Sequence, residues 1–144
     1  MVIRRPAPSE HDAVRALVQT VVDEVYGGLW AAPPLHIDEA DWSLAWVAVS
    51  EFKIVGMVLT NEAWVSDLWV VREHRKEGIG RQLLSCGEIE IAARGHFTAR
   101  LRVVKSNVQA VSFYDRQGWK VEREFSHETL PIGMLEMSKV LERV

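Results

Sequence analysis

Three apolar runs joined by two short polar connections constrain the fold of this chain more than any other feature. The runs are Leu44–Val49, Ile54–Thr60 and Ala63–Val71, and the connections between them are Ser50–Lys53 and Asn61–Glu62. Connections this short join antiparallel strands, because a parallel return needs a crossover of a dozen or more residues. The sequence therefore predicts an antiparallel three-stranded meander.

A charged loop and then a long helical segment follow the meander. The helix is expected to open at Gly78-Ile79-Gly80 and to close at Arg94-Gly95-His96, and Gly87 on its apolar face would let it lie close to a sheet. The next apolar run, Thr98–Val104, alternates like a strand. Because a helical crossover joins parallel strands, the strands at 63–71 and 98–104 are expected to be parallel neighbours.

The remaining segments complete a single α+β domain over residues 1–144, with no repeat or linker. An apolar face at helical spacing marks the first helix, and its members are Val14, Leu17, Val18, Val21, Val22 and Val25. The other expected elements are a strand at Val2–Arg5, an N-cap at Ser9, a helix end at Gly27-Gly28, a helical turn at Asp38–Asp41, a helix at Asn107–Gln117 ended by Gly118, and strands at Trp119–Phe125 and Leu135–Leu141.

Composition excludes several classes of protein. Of the 144 residues 48% are hydrophobic and 26% are charged, which is typical of a chain that buries a core. The net charge of −3 argues against nucleic acid as the main partner. One cysteine, Cys86, and five scattered histidines favour neither a disulfide nor a metal site. No apolar run is long enough for a membrane span and no signal peptide is visible, so a soluble cytoplasmic protein without a membrane partner is expected.

The segment Arg75-Lys76-Glu77-Gly78-Ile79-Gly80-Arg81, between a strand and a helix, is the most informative for chemistry. Glycines at a helix start expose backbone N–H groups, and the helix dipole favours an anion there. The three cations suit a phosphate, although a purely structural turn would use the same glycines. Arg81-Gln82 after the last glycine excludes a P-loop, and Leu83 stands where a dinucleotide fingerprint needs a third small residue.

Two motifs together resemble a known family. Val70 followed by Arg75-x-x-Gly78-x-Gly80 resembles motif A of the GNAT (general N-acetyltransferase) superfamily. Asn107-x-x-Ala110-x-x-Phe113-Tyr114 followed by Gly118-Trp119 is similar to its motif B, which ends in Gly-Phe. The resemblance implies the GNAT fold: an α+β, α/β/α sandwich-like domain with a mixed, mostly antiparallel central sheet. Its central parallel strands splay apart, and helices flank the sheet.

The resemblance also implies acetyl-CoA as cosubstrate, with no metal. The pantetheine arm would bond to the backbone of Leu68-Trp69-Val70, as an added strand does. The pyrophosphate would lie on the loop from Arg75 to Arg81. Asn107 would bind the cofactor near the start of its helix, although an ordinary N-cap explains the residue equally well. Tyr114 would lie near the thioester sulfur.

Catalytic roles follow from the same resemblance. Tyr114 would protonate the departing thiolate, for which a phenol with a pKa near 10 is a suitable acid. The alternative is that Tyr114 only packs on its helix. The base that deprotonates the amine stays open among Asp67, Glu62, Glu73, His127 and ordered water.

The chain departs from the usual family pattern at two positions. Arg72 stands where a proline is common, and Glu77 stands where a lysine or glycine is common. A carboxylate beside a pyrophosphate would weaken binding, so the Glu77 side chain is expected to turn outward, toward Lys76 or Arg81.

Aromatic and acidic residues from the first loop, the motif A strand and the last loop are candidates for the acceptor pocket. Aromatic rings with carboxylates suit a cationic amine. We assign Trp30, Trp69 and His127 to substrate binding; the wider set also contains Trp42, His36, Asp38, Asp41 and Glu128. Trp46 and Trp64, inside apolar strands, are expected to be core.

The sequence thus predicts an N-acetyltransferase that moves the acetyl group of acetyl-CoA to a primary amine of a small molecule, amino acid or peptide. A non-catalytic acyl-CoA-binding or sensor domain of the same fold is the main alternative. A protein-interaction domain with a structural glycine loop is the third. Homodimers are common in the family, and the sequence identifies no interface.

Overall fold

The computed structural model describes residues 1–27 and 40–141 as seven strands, three helices and short 3-10 turns. The strands are Val2–Arg4 (β1), Trp46–Ser50 (β2), Lys53–Asn61 (β3), Trp64–Val70 (β4), Thr98–Val104 (β5), Lys120–Ser126 (β6) and Gly133–Val140 (β7). The helices are His11–Tyr26 (α1), Ile79–Ala93 (α2) and Val108–Arg116 (α3).

The seven strands form one mixed sheet in the order β1-β2-β3-β4-β5-β7-β6. Strand β2 pairs antiparallel with β1 and β3, and β7 pairs antiparallel with β5 and β6. The predicted parallel pair is confirmed, since Trp64 of β4 registers with Arg100 of β5. The backbone N–H of Arg100 donates to the carbonyl of Ala63 at 2.9 Å, which joins the pair at the start of β4.

The chain divides by its contacts into two compact units. The first contains residues 1–60 and 67–87, and the second contains residues 61–66 and 88–144. The expectation of a single domain over residues 1–144 stays a prediction.

In the first unit, α2 lies very close to β3 because two glycines leave room for it. A Cβ at Gly87 would stand 3.1 Å from Thr60 Cγ2, and one at Gly56 would stand 3.0 Å from Leu83 Cδ1 and 3.1 Å from the carbonyl of Trp69. The expected role of Gly87 is confirmed. The space that a side chain would fill is occupied by the neighbouring element.

The apolar face of α1 is confirmed except at its last member. Val14, Val18, Val21 and Val22 are buried, whereas Val25 is exposed and Tyr26 is buried in its place. Tyr26 lies four residues after Val22 and so continues the same helical stripe.

The core of the second unit lies on one face of β5 and β7. Its fully or almost fully buried side chains come from both strands, from α2 and from the loop after α3: Ala99, Leu101, Val103, Met137, Ile91 and Trp119. Alternate residues of β5 and β7 face the other way and carry charge; Glu136 on that face contacts Arg123 at 3.2 Å and Arg100 at 3.6 Å.

The tryptophans are distributed differently from the prediction. Trp42 is buried, while Trp46 and Trp64, expected in the core, are only half-buried. An arginine covers the ring of each: Arg5 lies 3.8 Å from the Trp46 ring centroid, and Arg102 lies 5.1 Å from that of Trp64. A guanidinium over an indole face gains cation–π energy while it stays in contact with water, so these rings need not be buried.

The start of α1 also differs from the prediction. Ser9 lies in a 3-10 turn, Pro8–Glu10, and the residue at the N-cap is Glu10. The Glu10 carboxylate accepts hydrogen bonds from Arg4 at 2.7 Å and from the backbone N–H of Ala7 at 2.8 Å. These bonds favour the ionised form and lower the pKa of Glu10 to about 2.

The turn between β2 and β3 yields a prediction about stability. Its two residues, Glu51 and Phe52, both have positive φ (50° and 67°), and the Phe52 ring is fully exposed. Asn-Gly is the preferred pair for such a turn because neither residue is strained there. We expect E51N/F52G to raise the free energy of unfolding by about 1 kcal/mol and the melting temperature by about 2–4 °C.

Phe52→Ala is the matched control for this turn. It removes the exposed ring and keeps the strained backbone, so its melting temperature should equal that of the wild type. A lower stability of E51N/F52G would contradict the prediction.

Candidate active site

The loop before α2 contains two left-handed residues. Lys76 and Gly78 have φ of 67° and 82°, and Arg75, before them, is extended, with φ of −72° and ψ of 156°. Left-handed residues can turn successive N–H groups toward one side of a loop, in the arrangement known as a nest. Binding of a diphosphate by the predicted phosphate loop stays a prediction.

The first turn of α2 adds further donors. The first hydrogen bond of the helix runs from the N–H of Gln82 to the carbonyl of Gly78, at 3.1 Å. The N–H groups of Ile79, Gly80 and Arg81 precede it, and helix geometry gives them no partner within the helix. Gly80 carries no side chain to cover them, so the positive end of the helix dipole is accessible to an anion.

The three cations of the loop have different surroundings. Arg75 is held by the protein: its Nε donates to the carbonyl of Val70 at 3.0 Å, and its guanidinium lies 3.6 Å from the Glu24 carboxylate. Lys76 and Arg81 are exposed and form no ion pair with the described residues. Two of the three predicted cations are thus left for a ligand.

Glu77 is exposed, and its partner differs from the expected ones. Its Oε2 lies 3.1 Å from Nδ1 of His74, where the sequence suggested Lys76 or Arg81. His74 lies in a 3-10 turn, Arg72–His74, that follows β4 without the proline common in the family.

Strand β4 carries a buried carboxylate next to an indole. Asp67 is 3% exposed, and its Oδ1 accepts a hydrogen bond of 2.9 Å from Nε1 of Trp69. Residues two apart share a face of a strand, which is why the two side chains meet. The Trp69 ring in turn packs edge-to-face on Tyr26, at 6.1 Å between centroids and 84° between planes.

Only one of the three carboxylates considered as a base is buried. Glu73 is exposed in the 3-10 turn after β4. Glu62 is exposed in the turn between β3 and β4, and its carboxylate lies 3.3 Å from Nε2 of His96. Asp67 is therefore the carboxylate of the three that is shielded from water.

In the second unit, Asn107 is the N-cap of α3. Its side-chain oxygen accepts a hydrogen bond of 3.2 Å from the backbone N–H of Ala110. The ordinary capping role that the sequence left open is present. A cofactor contact from this residue stays a prediction.

Tyr114 lies at the end of α3, between two aromatic rings. Phe113 is 5.3 Å away at 68° and Trp119 is 6.0 Å away at 61°, both measured between ring centroids and planes. Its side chain is half-buried. The packing role and the proposed acid role use different parts of this residue, the ring and the hydroxyl.

Trp119 is the most deeply buried aromatic residue near Tyr114, with no exposed surface. Its Nε1 donates to Glu88 Oε2 at 3.2 Å, and Lys139 Nζ donates to the other oxygen of Glu88 at 2.8 Å. The three residues come from the loop after α3, from α2 and from β7.

His127 uses one ring nitrogen to hold its own loop. Nδ1 accepts hydrogen bonds of 3.2 Å from the backbone N–H groups of Thr129 and Leu130. The backbone N–H of His127 donates to the carbonyl of Ile132 at 3.0 Å. Nδ1 is therefore occupied, and a polar contact between this ring and a substrate would use Nε2.

Several residues of the predicted acceptor pocket lie outside the described part of the chain: Trp30, His36 and Asp38. Asp41 is described, and it caps the 3-10 turn Trp42–Leu44 by accepting from the N–H of Ser43 at 3.1 Å. Glu128 is exposed on the last loop. The expected helical turn at 38–41 falls partly outside the described residues, and the described turn begins at Trp42.

Three residues that contact predicted site residues or their neighbours are absent from the sequence-based prediction. Tyr26 could have been found by extending the helical stripe of α1 by one turn. Glu24, beside Arg75, and Glu88, beside Trp119, gave no signal, because each pairs with a residue distant in sequence. Among residues 1–27 and 40–141, no cluster of three His, Cys, Asp or Glu side chains could hold a metal, and no helix is long and apolar enough to cross a membrane.

Comparison with known proteins agrees with this arrangement. The family model described as "Acetyltransferase (GNAT) domain" matches residues 35–141. A 5-NmdU N-acetyltransferase of Pseudomonas phage PaMx11 is 26% identical over 132 residues, covering 86% of this chain and 90% of the relative.

Two solved structures are similar over almost their whole length. The apo form of YjaB from Escherichia coli has a TM-score of 0.74 at 26% identity, with 99% of this chain and 100% of that chain covered. The PaiA N-acetyltransferase from Thermoplasma acidophilum, in complex with coenzyme A, also has a TM-score of 0.74, at 19% identity, with 96% and 98% covered.

The chain therefore belongs to the GNAT acetyltransferase family. It is an acetyl-CoA-dependent N-acyltransferase, with the mixed sheet of that fold.

The different surroundings of Arg75 and Arg81 yield a prediction. Arg75 is bonded to the protein, so R75M should lower the melting temperature. Arg81 forms no ion pair with the described residues, so R81M should leave the melting temperature unchanged and raise the Kd of acetyl-CoA about tenfold, the value of one charge-assisted contact of about 1.4 kcal/mol. Differential scanning fluorimetry and calorimetric titration measure the two effects. Equal loss of affinity in both variants, without loss of stability in R75M, would contradict the assignment.

Proposed function

We propose that the protein transfers the acetyl group of acetyl-CoA to a primary amine of a small molecule, amino acid or peptide, by direct attack of the amine on the thioester. The observation that carries the proposal is the loop before α2, with left-handed Lys76 and Gly78, and the first helical hydrogen bond made only at Gln82. Such a loop suits a diphosphate, which acetyl-CoA contains. The phage relative is named an N-acetyltransferase, which supports nitrogen as the accepting atom.

Binding of the cosubstrate would use backbone more than side chains. Leu68, Trp69 and Val70 would supply strand hydrogen bonds to the pantetheine arm, and the N–H groups from Arg75 to Arg81 would hold the diphosphate. Lys76 and Arg81 would add charge, and Asn107 would add a contact at the start of α3. Arg75 would support the loop, since Val70 and Glu24 already hold its guanidinium.

Acetyl-CoA supplies an activated acyl group whose leaving atom is sulfur. As the amine nitrogen bonds to the carbonyl carbon, the carbon–sulfur bond breaks, and the nitrogen must release a proton while the sulfur gains one. Tyr114 would donate its hydroxyl proton to the sulfur. Its ring is fixed between Phe113 and Trp119, which would hold the hydroxyl in one place.

Asp67 would take the proton from the incoming amine. It is shielded from water, and the Trp69 indole N–H holds one of its oxygens at 2.9 Å. A carboxylate in such surroundings also attracts an alkylammonium group, so it would select acceptors that carry a positive charge before reaction. The Trp69 ring would provide the adjoining apolar wall, and Trp30 and His127 remain candidates for the rest of the pocket.

The first test of this function is Tyr114→Phe. The variant keeps the ring and removes the acid, so we expect kcat to fall about 100-fold while the KM for acetyl-CoA changes less than about twofold. Release of free coenzyme A thiol across a panel of amines measures both constants. Melting with and without acetyl-CoA is the control, because the variant should still be stabilised by the ligand.

Two outcomes would contradict the proposal in different ways. An unchanged kcat in Tyr114→Phe would remove this residue from the mechanism. Absence of any thermal shift at millimolar acetyl-CoA in the wild type would contradict cosubstrate binding itself. A shift without thiol release from any amine would favour the sensor alternative.

Asp67→Asn tests the base. If Asp67 accepts the proton, the variant depends on amine that is already neutral, and this fraction rises about tenfold per pH unit below the amine pKa near 10.4. We therefore expect the activity of Asp67→Asn at pH 7 to fall at least about tenfold and to recover steeply toward pH 9. The pH profile of kcat/KM for the acceptor measures this.

Glu62→Gln and Glu73→Gln are the comparison variants for the base. Both carboxylates are exposed, and both profiles should match the wild type. If Asp67→Asn keeps the pH profile of the wild type, water takes the proton. If Glu62→Gln or Glu73→Gln instead shows the loss at pH 7 and the recovery toward pH 9, that glutamate is the base.

A further inference from the structure

We infer that Trp119, anchored by Glu88 and Lys139, is the positioning residue that fixes the ring of Tyr114 for proton donation. The inference rests on the proposed function, in which Tyr114 is the acid. All four residues lie in the second unit, and three kinds of contact connect them: a helix cap, a ring contact and a half-buried ion pair.

The helix cap joins Tyr114 to Trp119 through the backbone. Gly118 has φ of 91°, its N–H donates to the carbonyl of Asp115 at 3.0 Å, and the N–H of Trp119 donates to the carbonyl of Tyr114 at 3.0 Å. This pair of bonds defines a Schellman motif, in which Tyr114 is the third residue from the helix end and Trp119 is the second residue past it. An apolar contact between these two positions commonly accompanies the motif.

The ring contact is made by Trp119, whose side chain is fully buried. Trp119 has no exposed surface and meets the Tyr114 ring at 61° with 6.0 Å between centroids. Edge-to-face aromatic pairs of this geometry contribute about 0.5–1.5 kcal/mol beyond burial. The position of Tyr114 is therefore tied to the position of the indole.

The ion pair fixes the indole. Glu88 is 14% exposed and Lys139 is 29% exposed, and the two oxygens of Glu88 accept separately, from Trp119 Nε1 at 3.2 Å and from Lys139 Nζ at 2.8 Å. A carboxylate this shielded is costly unless both oxygens are bonded. The stem of Lys139 also lies over the cap, since a Cβ at Gly118 would stand 3.6 Å from Lys139 Cε.

The residue type at 119 matches this network. Where motif B ends in Gly-Phe, a phenylalanine fills the space without a donor. Here a tryptophan adds one N–H, and Glu88 stands at 3.2 Å to receive it. Small displacements of a catalytic group cost far more in rate than in stability, so a bond that orients the indole has its main effect on the Tyr114 hydroxyl.

The test uses Trp119→Phe, which keeps a ring and loses the N–H, and Glu88→Gln, which loses the charge that Lys139 binds. The matched control is Glu90→Gln: Glu90 lies on the same helix, is 16% exposed, and pairs with Arg94 at 3.1 Å. We expect kcat to fall about tenfold in Trp119→Phe and about threefold in Glu88→Gln, with the KM for acetyl-CoA within about twofold in both. Glu90→Gln should retain the wild-type kcat.

A double variant separates positioning from independent effects. If Trp119 acts through Tyr114, Tyr114→Phe/Trp119→Phe has the kcat of Tyr114→Phe alone. Multiplied losses would overturn the inference while leaving the proposed function intact. An unchanged kcat in Tyr114→Phe would instead overturn the proposed function, and with it the catalytic meaning of the contact.

A spectroscopic measurement needs no acceptor and covers the case in which Trp119→Phe folds poorly. The chain has two tyrosines, Tyr26 and Tyr114, so Tyr26→Phe leaves Tyr114 as the single tyrosine signal in a ring-labelled NMR spectrum. Because the indole ring shifts that signal, Glu88→Gln in this background should move or broaden it, and Glu90→Gln should not. An unmoved signal in Glu88→Gln would overturn the inference.

Discussion

The close approach of α2 to β3 is the contact on which the position of the loop before α2 depends. It exists because Gly56 and Gly87 have no side chains: a Cβ at Gly56 would stand 3.0 Å from Leu83 Cδ1, and one at Gly87 would stand 3.1 Å from Thr60 Cγ2, both closer than van der Waals contact. Since helix and strand are rigid, their separation determines where the first turn of α2 begins. In the proposed function, the N–H groups of the loop would therefore meet an anion without a large conformational change on binding.

The positive charge of the loop before α2 is concentrated in a mildly acidic chain. The chain carries a net charge of −3, yet residues 75–81 contain three cations. Arg75 donates a hydrogen bond to Val70 and forms an ion pair with Glu24, so it connects β4, α1 and the loop. Lys76 and Arg81 are exposed and form no ion pair within the described part of the chain. In the proposed function, one short segment would supply both its own rigidity and the counter-charge of its ligand.

The sequence predicted the features of the fold that depend on apolar periodicity and backbone conformation. It did not predict the features that depend on contacts between side chains distant in sequence. The strands, the parallel pair and the glycine loop follow from spacing and from Gly78. Trp46 and Trp64 remain partly exposed because Arg5 and Arg102 cover their rings. These arginines come from other segments of the chain, so no local sequence pattern predicts the two contacts. The predicted N-cap at Ser9 is wrong: the N-cap residue is Glu10, whose carboxylate is bonded to Arg4. For the same reason the network behind Tyr114 could not be predicted.

The two ends of α3 have a consequence for how this protein can vary. The helix has nine residues, with the Asn107 cap at one end and the left-handed Gly118 at the other. An added residue before Tyr114 would rotate Tyr114 and the cap residues after it together, by about 100° relative to the Asn107 cap. The contact between Tyr114 and Trp119 would survive, because the backbone bonds of the cap join these two residues. The length of α3 therefore sets the angle between its two capped ends, whereas the C-terminal cap sets the aromatic contact.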